Sequence, residues 1–143
     1  MMTLCPPLAS WQIERSVRTQ LDVAVLVYQV RNQLVQAGSA EPFAARVATV
    51  VSELATNIVR YAGLGMVTVV CRQMGQESRA MVLEVVAMDR GPGIADVAVA
   101  LRERHSTGGS LGLGLSAVGR MADDLRVASQ PGQGTTVTAR FWL

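Results

Sequence analysis

Glu53 and Asn57 stand four residues apart in Ser52-Glu53-Leu54-Ala55-Thr56-Asn57, a spacing that stacks a carboxylate and an amide on one face of a helix. A carboxylate so placed can orient or deprotonate a hydroxyl or a water. An amide oxygen suits Mg²⁺, a hard cation that takes oxygen ligands and keeps several waters. Further on, Asp89-Arg90-Gly91-Pro92-Gly93-Ile94 puts an acid where the apolar run 81–87 ends, and ligands gather at such edges of α/β sheets. Gly91 and Gly93 bracket a proline, the makings of a tight turn, beside which Asp89 can accept hydrogen bonds from an exocyclic amine. A second block, Gly108-Gly109-Ser110-Leu111-Gly112-Leu113-Gly114-Leu115, runs into a helical pattern, and backbone N–H groups at such junctions hold phosphate. Each signal has a plain counterpart: a surface asparagine, a solvated carboxylate, an Asx turn, a flexible loop. Their co-occurrence in one chain is what points to a nucleotide.

The elements that position these residues follow from periodicity. Phe43, Val47, Val50, Leu54, Ile58 and Tyr61 step by three and four, an amphipathic helix with Glu53 and Asn57 beside its apolar stripe. Pro42 suits its first turn, and Gly63 and Gly65 stop it after Tyr61-Ala62. Upstream, residues 11–17 alternate as a strand, and Thr19 with Asp22 forms a capping-box pattern for a helix to about Ala37. Residues 66–74 and 80–88 read as hairpin strands around a polar turn. Residues 94–104 and 112–122 read as short helices, 125–129 as a strand, and 135–142 as a last strand after Pro131-Gly132-Gln133-Gly134. The order β-α-α-β-β-α-α-β-β predicts an α/β (α+β) two-layer sandwich, one mixed, mostly antiparallel sheet with helices on a single face. A chain of 143 residues fits one domain, 1–143, with a sizeable core.

Half of the residues are hydrophobic and 17% are charged, which argues against extensive disorder. The net charge is +2, the basic residues are scattered and aromatics make up 4%, a poor match to a nucleic-acid surface. Cys5 and Cys71 lie far apart, with His105 the sole histidine; they read as reduced thiols in a cytoplasmic protein rather than as metal ligands. No apolar stretch approaches about 18 residues, and Pro6-Pro7 interrupts the one early apolar patch, so neither a membrane span nor a signal peptide is expected.

The Glu-x-x-x-Asn helix, the Asp-x-Gly-x-Gly turn, the glycine-rich loop and the final Gly134-Thr135-Thr136, in this order, resemble the GHKL ATPase superfamily. Within it, Ser52 to Asn57 with Tyr61-Ala62-Gly63, and His105-Ser106-Thr107-Gly108-Gly109, resemble the RsbT-type serine/threonine kinases, from about Thr19 to the C-terminus. The resemblance implies the Bergerat ATP-binding fold with ATP and Mg²⁺ as cofactors. It implies Asn57 as the metal ligand and Glu53 as the catalytic base or orienter. Asp89 would read the adenine amine, supported by Thr136 from the last strand, with Gly91, Gly93 and Ile94 shaping the pocket. Thr107, Gly108, Gly109, Leu111, Gly112, Leu113, Gly114 and Leu115 would surround the phosphates.

The implied function is an ATP-dependent kinase of a bacterial partner-switching pathway, of the stressosome or sigma-factor kind, acting on a serine of a STAS-domain antagonist. The same resemblance allows an ATP-gated binding module, an anti-sigma factor or the activator of a metal-dependent serine phosphatase. A homodimer would leave no signature in the sequence. A detached histidine-kinase module fits less well, since only 14 residues, 94–107, separate the two glycine blocks and no histidine-bearing dimerisation helix is evident. One departure stands out. Kinases of this kind carry an arginine on the first long helix, and counting back from Glu53 its place falls at Val27-Tyr28. Arg31, one turn on, is the candidate substitute, with five donors in a fork suited to phosphate.

Overall fold

The computed structural model of the chain describes residues 10–75, 77, 79–94 and 114–143. Strand β1, Trp11–Val17, alternates half-buried and exposed residues until Val17 reaches the core. Helix α1, Gln20–Gln36, opens on the expected capping box: Thr19 Oγ1 accepts from the Asp22 N–H at 3.2 Å and Asp22 Oδ2 accepts from the Thr19 N–H at 3.0 Å. Reciprocal caps of this kind satisfy donors the helix leaves open, at about 1 kcal/mol. Helix α2, Glu41–Asn57, starts with proline in its first turn and no side-chain cap. It ends in a π-helical turn, Ile58–Ala62, closed by Gly63, whose N–H donates to the Ile58 carbonyl at 2.8 Å. Strands β2, Gly65–Gln73, and β3, Met81–Asp89, form the hairpin. Helix α3, Leu115–Met121, begins three residues later than the pattern 112–122 suggests, because Gly114 takes a left-handed conformation at its cap. Strands β4, Asp124–Gln130, and β5, Gly134–Trp142, close the chain. The helix expected over 94–104 lies, past Ile94, outside the described residues.

The sheet runs β1-β2-β3-β5-β4. Every pairing is antiparallel, the β4–β5 hairpin docking its second strand on β3. The helices cover one face. There Leu26, Val30 and Leu34 of α1, Val47, Val50, Leu54 and Ile58 from the α2 region, and Leu115 and Val118 of α3 meet alternate residues of β2, β3 and β5 in one buried cluster. Fully burying an aliphatic or aromatic side chain of this size contributes about 1.5–3 kcal/mol. Phe43 packs edge-on to Phe141 at 5.9 Å, and Arg46 lies over the Phe141 ring while its Nε donates to the Met121 carbonyl at 3.2 Å. That contact ties α2 to the end of α3.

The opposite face carries the polar halves of the strands. Across it Arg72 and Arg140 grip the two oxygens of Glu84 at 2.9 and 2.6 Å, and Arg140 lies 3.7 Å from Asp124. Cys71 is buried with a free thiol whose pKa burial pushes up. Among the described residues no helix is long and apolar enough to cross a membrane.

Candidate functional site

A cleft opens where the C-terminal end of α2 meets the ends of β3 and β5. Leu54, Ile58, Ala87 and Val137 give it apolar walls, and Asn57, Asp89 and Thr135 supply the polar groups. Asp89 is the last residue of β3 and pairs in register with Gly65 on one side and Thr135 on the other. The apolar run before it is a central strand, so the acid sits at the strand's end facing the cleft. Its Oδ1 accepts from the Gly91 N–H at 2.8 Å, an Asx turn that also orients the carboxylate. The chain backbone at Gly134 lies hard against Asp89: a Cβ added at Gly134 would stand 2.1 Å from the Asp89 carbonyl oxygen.

The glycine turn is held by the β4–β5 hairpin. Gly132 N–H donates to the Pro92 carbonyl at 2.7 Å, and Ile94 N–H donates to Ser129 Oγ at 2.7 Å. Ile94 is buried and lines the cleft with Gly93.

Helix α2 presents Asn57 and Tyr61 to the cleft. Asn57 is its last α-helical residue, at the junction with the π turn that carries Tyr61; π turns inside helices recur at functional sites. Glu53, one turn earlier, does not line the cleft. Its carboxylate lies against Gly114, where a Cβ would come 2.4 Å from Glu53 Oε2. It therefore sits beside the point where the chain comes back from the second glycine block, and the next residue, Leu115, is part of the cleft wall.

The structure thus brings Asn57, Asp89, Gly93, Ile94 and Leu115 around one cleft, with Gly91 in its turn and Glu53 and Gly114 together at one flank. Thr107, Gly108, Gly109, Leu111, Gly112 and Leu113 lie outside the described residues. The expectation for Thr136 is corrected. On β5 the buried residues Val137, Ala139 and Phe141 set the helix-facing side, and a strand alternates, so Thr135 shares the cleft while Thr136 points to the opposite face, paired with Met88 and Ala128. The alternation Thr135-Val137-Ala139-Phe141 was the signal for this. Tyr61 also lines the cleft, a place the sequence reading did not give it, and Ser129 supports the glycine turn beside it. Arg31, the candidate substitute for the first-helix arginine, pairs with Glu41 at the start of α2, a residue about 24 Å along that helix from Asn57.

A planar base needs an apolar slot with a few polar groups at one end, which is the arrangement of Leu54, Ile58, Ala87 and Val137 before Asp89 and Thr135. A helix pair on an antiparallel sheet with an Asn-bearing helix over such a slot defines an ATP-binding domain of the GHKL kind. The chain belongs to the family of histidine kinase-, DNA gyrase B- and HSP90-like ATPases, whose model matches residues 44–143. It is also similar to the serine/threonine-protein kinase RsbT of Bacillus subtilis (strain 168), 35% identical over 127 residues that span 89% of this chain and 93% of that relative.

Proposed function

We propose that this chain is a serine/threonine protein kinase that moves the γ-phosphoryl group of ATP to a serine of a small STAS-domain antagonist in a partner-switching pathway. The observation that carries the reading is the placement of Glu53 and Asn57 on successive turns of α2, Asn57 lining a cleft that ends in Asp89. The similarity to a relative named as a serine/threonine-protein kinase supports a protein hydroxyl as the acceptor.

Asp89 accepts from the adenine amine, with Thr135 beside it. Asn57 contributes its amide oxygen to Mg²⁺. A single amide oxygen fits an ion that carries most of its ligands as phosphate oxygens and water. The bound Mg²⁺ supplies charge neutralisation on the phosphates. Glu53 orients the incoming serine hydroxyl and takes its proton as the serine oxygen bonds to the γ-phosphorus and the bond to the β–γ bridging oxygen breaks, releasing ADP. In a loose phosphoryl-transfer transition state orientation outweighs proton removal.

One observation favours a second reading, an ATP-gated binding module acting on a sigma factor or a serine phosphatase. The place of the first-helix arginine holds Val27, packed against the core, and Tyr28, 69% exposed, while Arg31 is held by Glu41. Incubation with γ-labelled ATP, Mg²⁺ and a STAS-domain protein, comparing wild type with Glu53→Gln, tests both. Label on a partner serine that is lost in the variant supports the kinase. Tight ATP binding with no label on any serine sinks it and leaves the binding module.

A further inference from the structure

Ser129 belongs to β4 and stands on the same side of the strand as Leu125 and Val127, half-buried between the glycine turn and β5. Its hydroxyl meets three groups at once. It accepts from Ile94 N–H at 2.7 Å, donates to the Gly134 carbonyl at 3.1 Å, and lies 2.9 Å from Thr135 Oγ1. A serine hydroxyl has one proton and two lone pairs. The carbonyl can only accept, so it takes the serine proton. The contact with Thr135 is then satisfied when Thr135 donates its own proton to Ser129. The opposite assignment, serine donating to threonine, leaves the Gly134 carbonyl to its ladder pairing with Gln130; threonine donating is the arrangement that gives all three contacts a proton.

We propose that Ser129 is a specificity-determining positioning residue: by taking the Thr135 proton it makes Thr135 a hydrogen-bond acceptor at the base end of the cleft, so that Asp89 and Thr135 together select a purine edge that donates. This rests on the reading that ATP occupies the cleft with its base toward Asp89. A carboxylate accepts only, and Thr135 with its proton committed also accepts. A 6-amino purine brings two N–H donors to that end. A 6-oxo purine in the same pose puts a carbonyl oxygen where the amine stood, its N1–H lying one ring position away; that oxygen faces two acceptors and leaves them unpaired, a mismatch that sites built on hydrogen bonding reject strongly. Ser129 touches neither the base nor the phosphates in this arrangement. It acts through Thr135 and through the Ile94 backbone.

The test compares ATP with inosine triphosphate, which differ in the base while sharing ribose and phosphates. Binding is titrated for wild type, Ser129→Ala, Ser129→Thr and Thr135→Val, with thermal unfolding alongside to confirm that each variant folds. Wild type should prefer ATP. Ser129→Ala frees the Thr135 hydroxyl to turn and donate, so the ATP-to-inosine preference should fall about tenfold, the worth of one or two hydrogen bonds. Ser129→Thr keeps a hydroxyl and should restore the preference. Mere loosening of the fold weakens both nucleotides alike and leaves their ratio untouched. An unchanged ratio in Ser129→Ala overturns the proposal; if Asp89→Asn still loses ATP in that case, the cleft assignment stands. A wild type that binds the two nucleotides equally overturns the proposal and the base assignment together.

Discussion

Replacing Gly114 by alanine separates the proposed role of the Glu53 flank of the cleft from that of its Asp89 end. Gly114 has a φ of +67°, and a Cβ there would stand 2.4 Å from Glu53 Oε2 and 3.1 Å from the Glu53 carboxyl carbon. The left-handed backbone costs a non-glycine residue about 1–2 kcal/mol, which for a domain of this size lowers the unfolding midpoint by roughly 3–8 °C. The clash itself falls on the end of a flexible side chain rather than on backbone. The fold can absorb it by moving the Glu53 carboxylate about 1 Å, and a misplacement of that size costs about 10²-fold in rate. ATP affinity should fall far less than the transfer rate, since Asp89 and Thr135 lie at the other end of the cleft. The assay is single-turnover phosphoryl transfer at saturating ATP for wild type, Gly114→Ala, Glu53→Gln and the double variant, with ATP binding measured in parallel. The double variant should be no slower than Glu53→Gln alone, because both changes act on one group. A Gly114→Ala protein that transfers phosphate at the wild-type rate refutes this reasoning, as does one whose rate loss is matched by loss of ATP binding.

Asp89→Asn keeps an acceptor for the Gly91 N–H, so circular dichroism and unfolding should match wild type while ATP binding is lost; retained binding removes the adenine assignment. Asn57→Ala should abolish the Mg²⁺-dependent part of ATP affinity, read by titration with and without a chelator, and an equal affinity in both conditions for wild type would count against the metal role. Gly134→Ala adds a Cβ 2.1 Å from the Asp89 carbonyl oxygen at a φ of +93°; the three nearest atoms are all backbone, so the loss should reach roughly 3 kcal/mol in urea denaturation. Burial raises the Glu84 carboxyl, but hydrogen bonds and charge from Arg140 and Arg72 outweigh it and hold the group below its ordinary value. A depressed native pKa gives stability that is complete above the unfolded value and is lost as pH falls through the native one. The stability gap between wild type and Glu84→Gln should therefore stay constant down to about pH 5 and close below the usual carboxylate range; a gap that persists into strong acid contradicts it.

Much of the frame was legible because it rests on local chemistry. The Thr19–Asp22 capping box, the alternation of β1 and the apolar stripe of α2 each depend on neighbours within a few residues, and each appears where the pattern places it. The Glu53–Asn57 pair shares a helix face for the same reason. Less legible was the turn after Asn57, where the helix widens into a π conformation, since an α-periodic pattern over five residues does not register one extra residue per turn. The pairing of Arg31 was not legible either, because its partner, Glu41, comes from the next helix in the folded hairpin.

What the sequence determined by itself is the set of chemical groups and their local carriers: an acid at the end of a buried strand, an amide and a carboxylate on one helix face, glycines at two turns. What only the tertiary structure decided is which of these meet. Asp89 reaches Thr135 because β5 inserts between β3 and β4 in one particular register. Shifting that register by one residue would present Thr136 instead, since side chains alternate with a period of two. Ser129 meets Ile94 only because the β4–β5 hairpin folds over the glycine turn, a contact 35 residues apart in the chain whose formation depends on packing and not on any local preference.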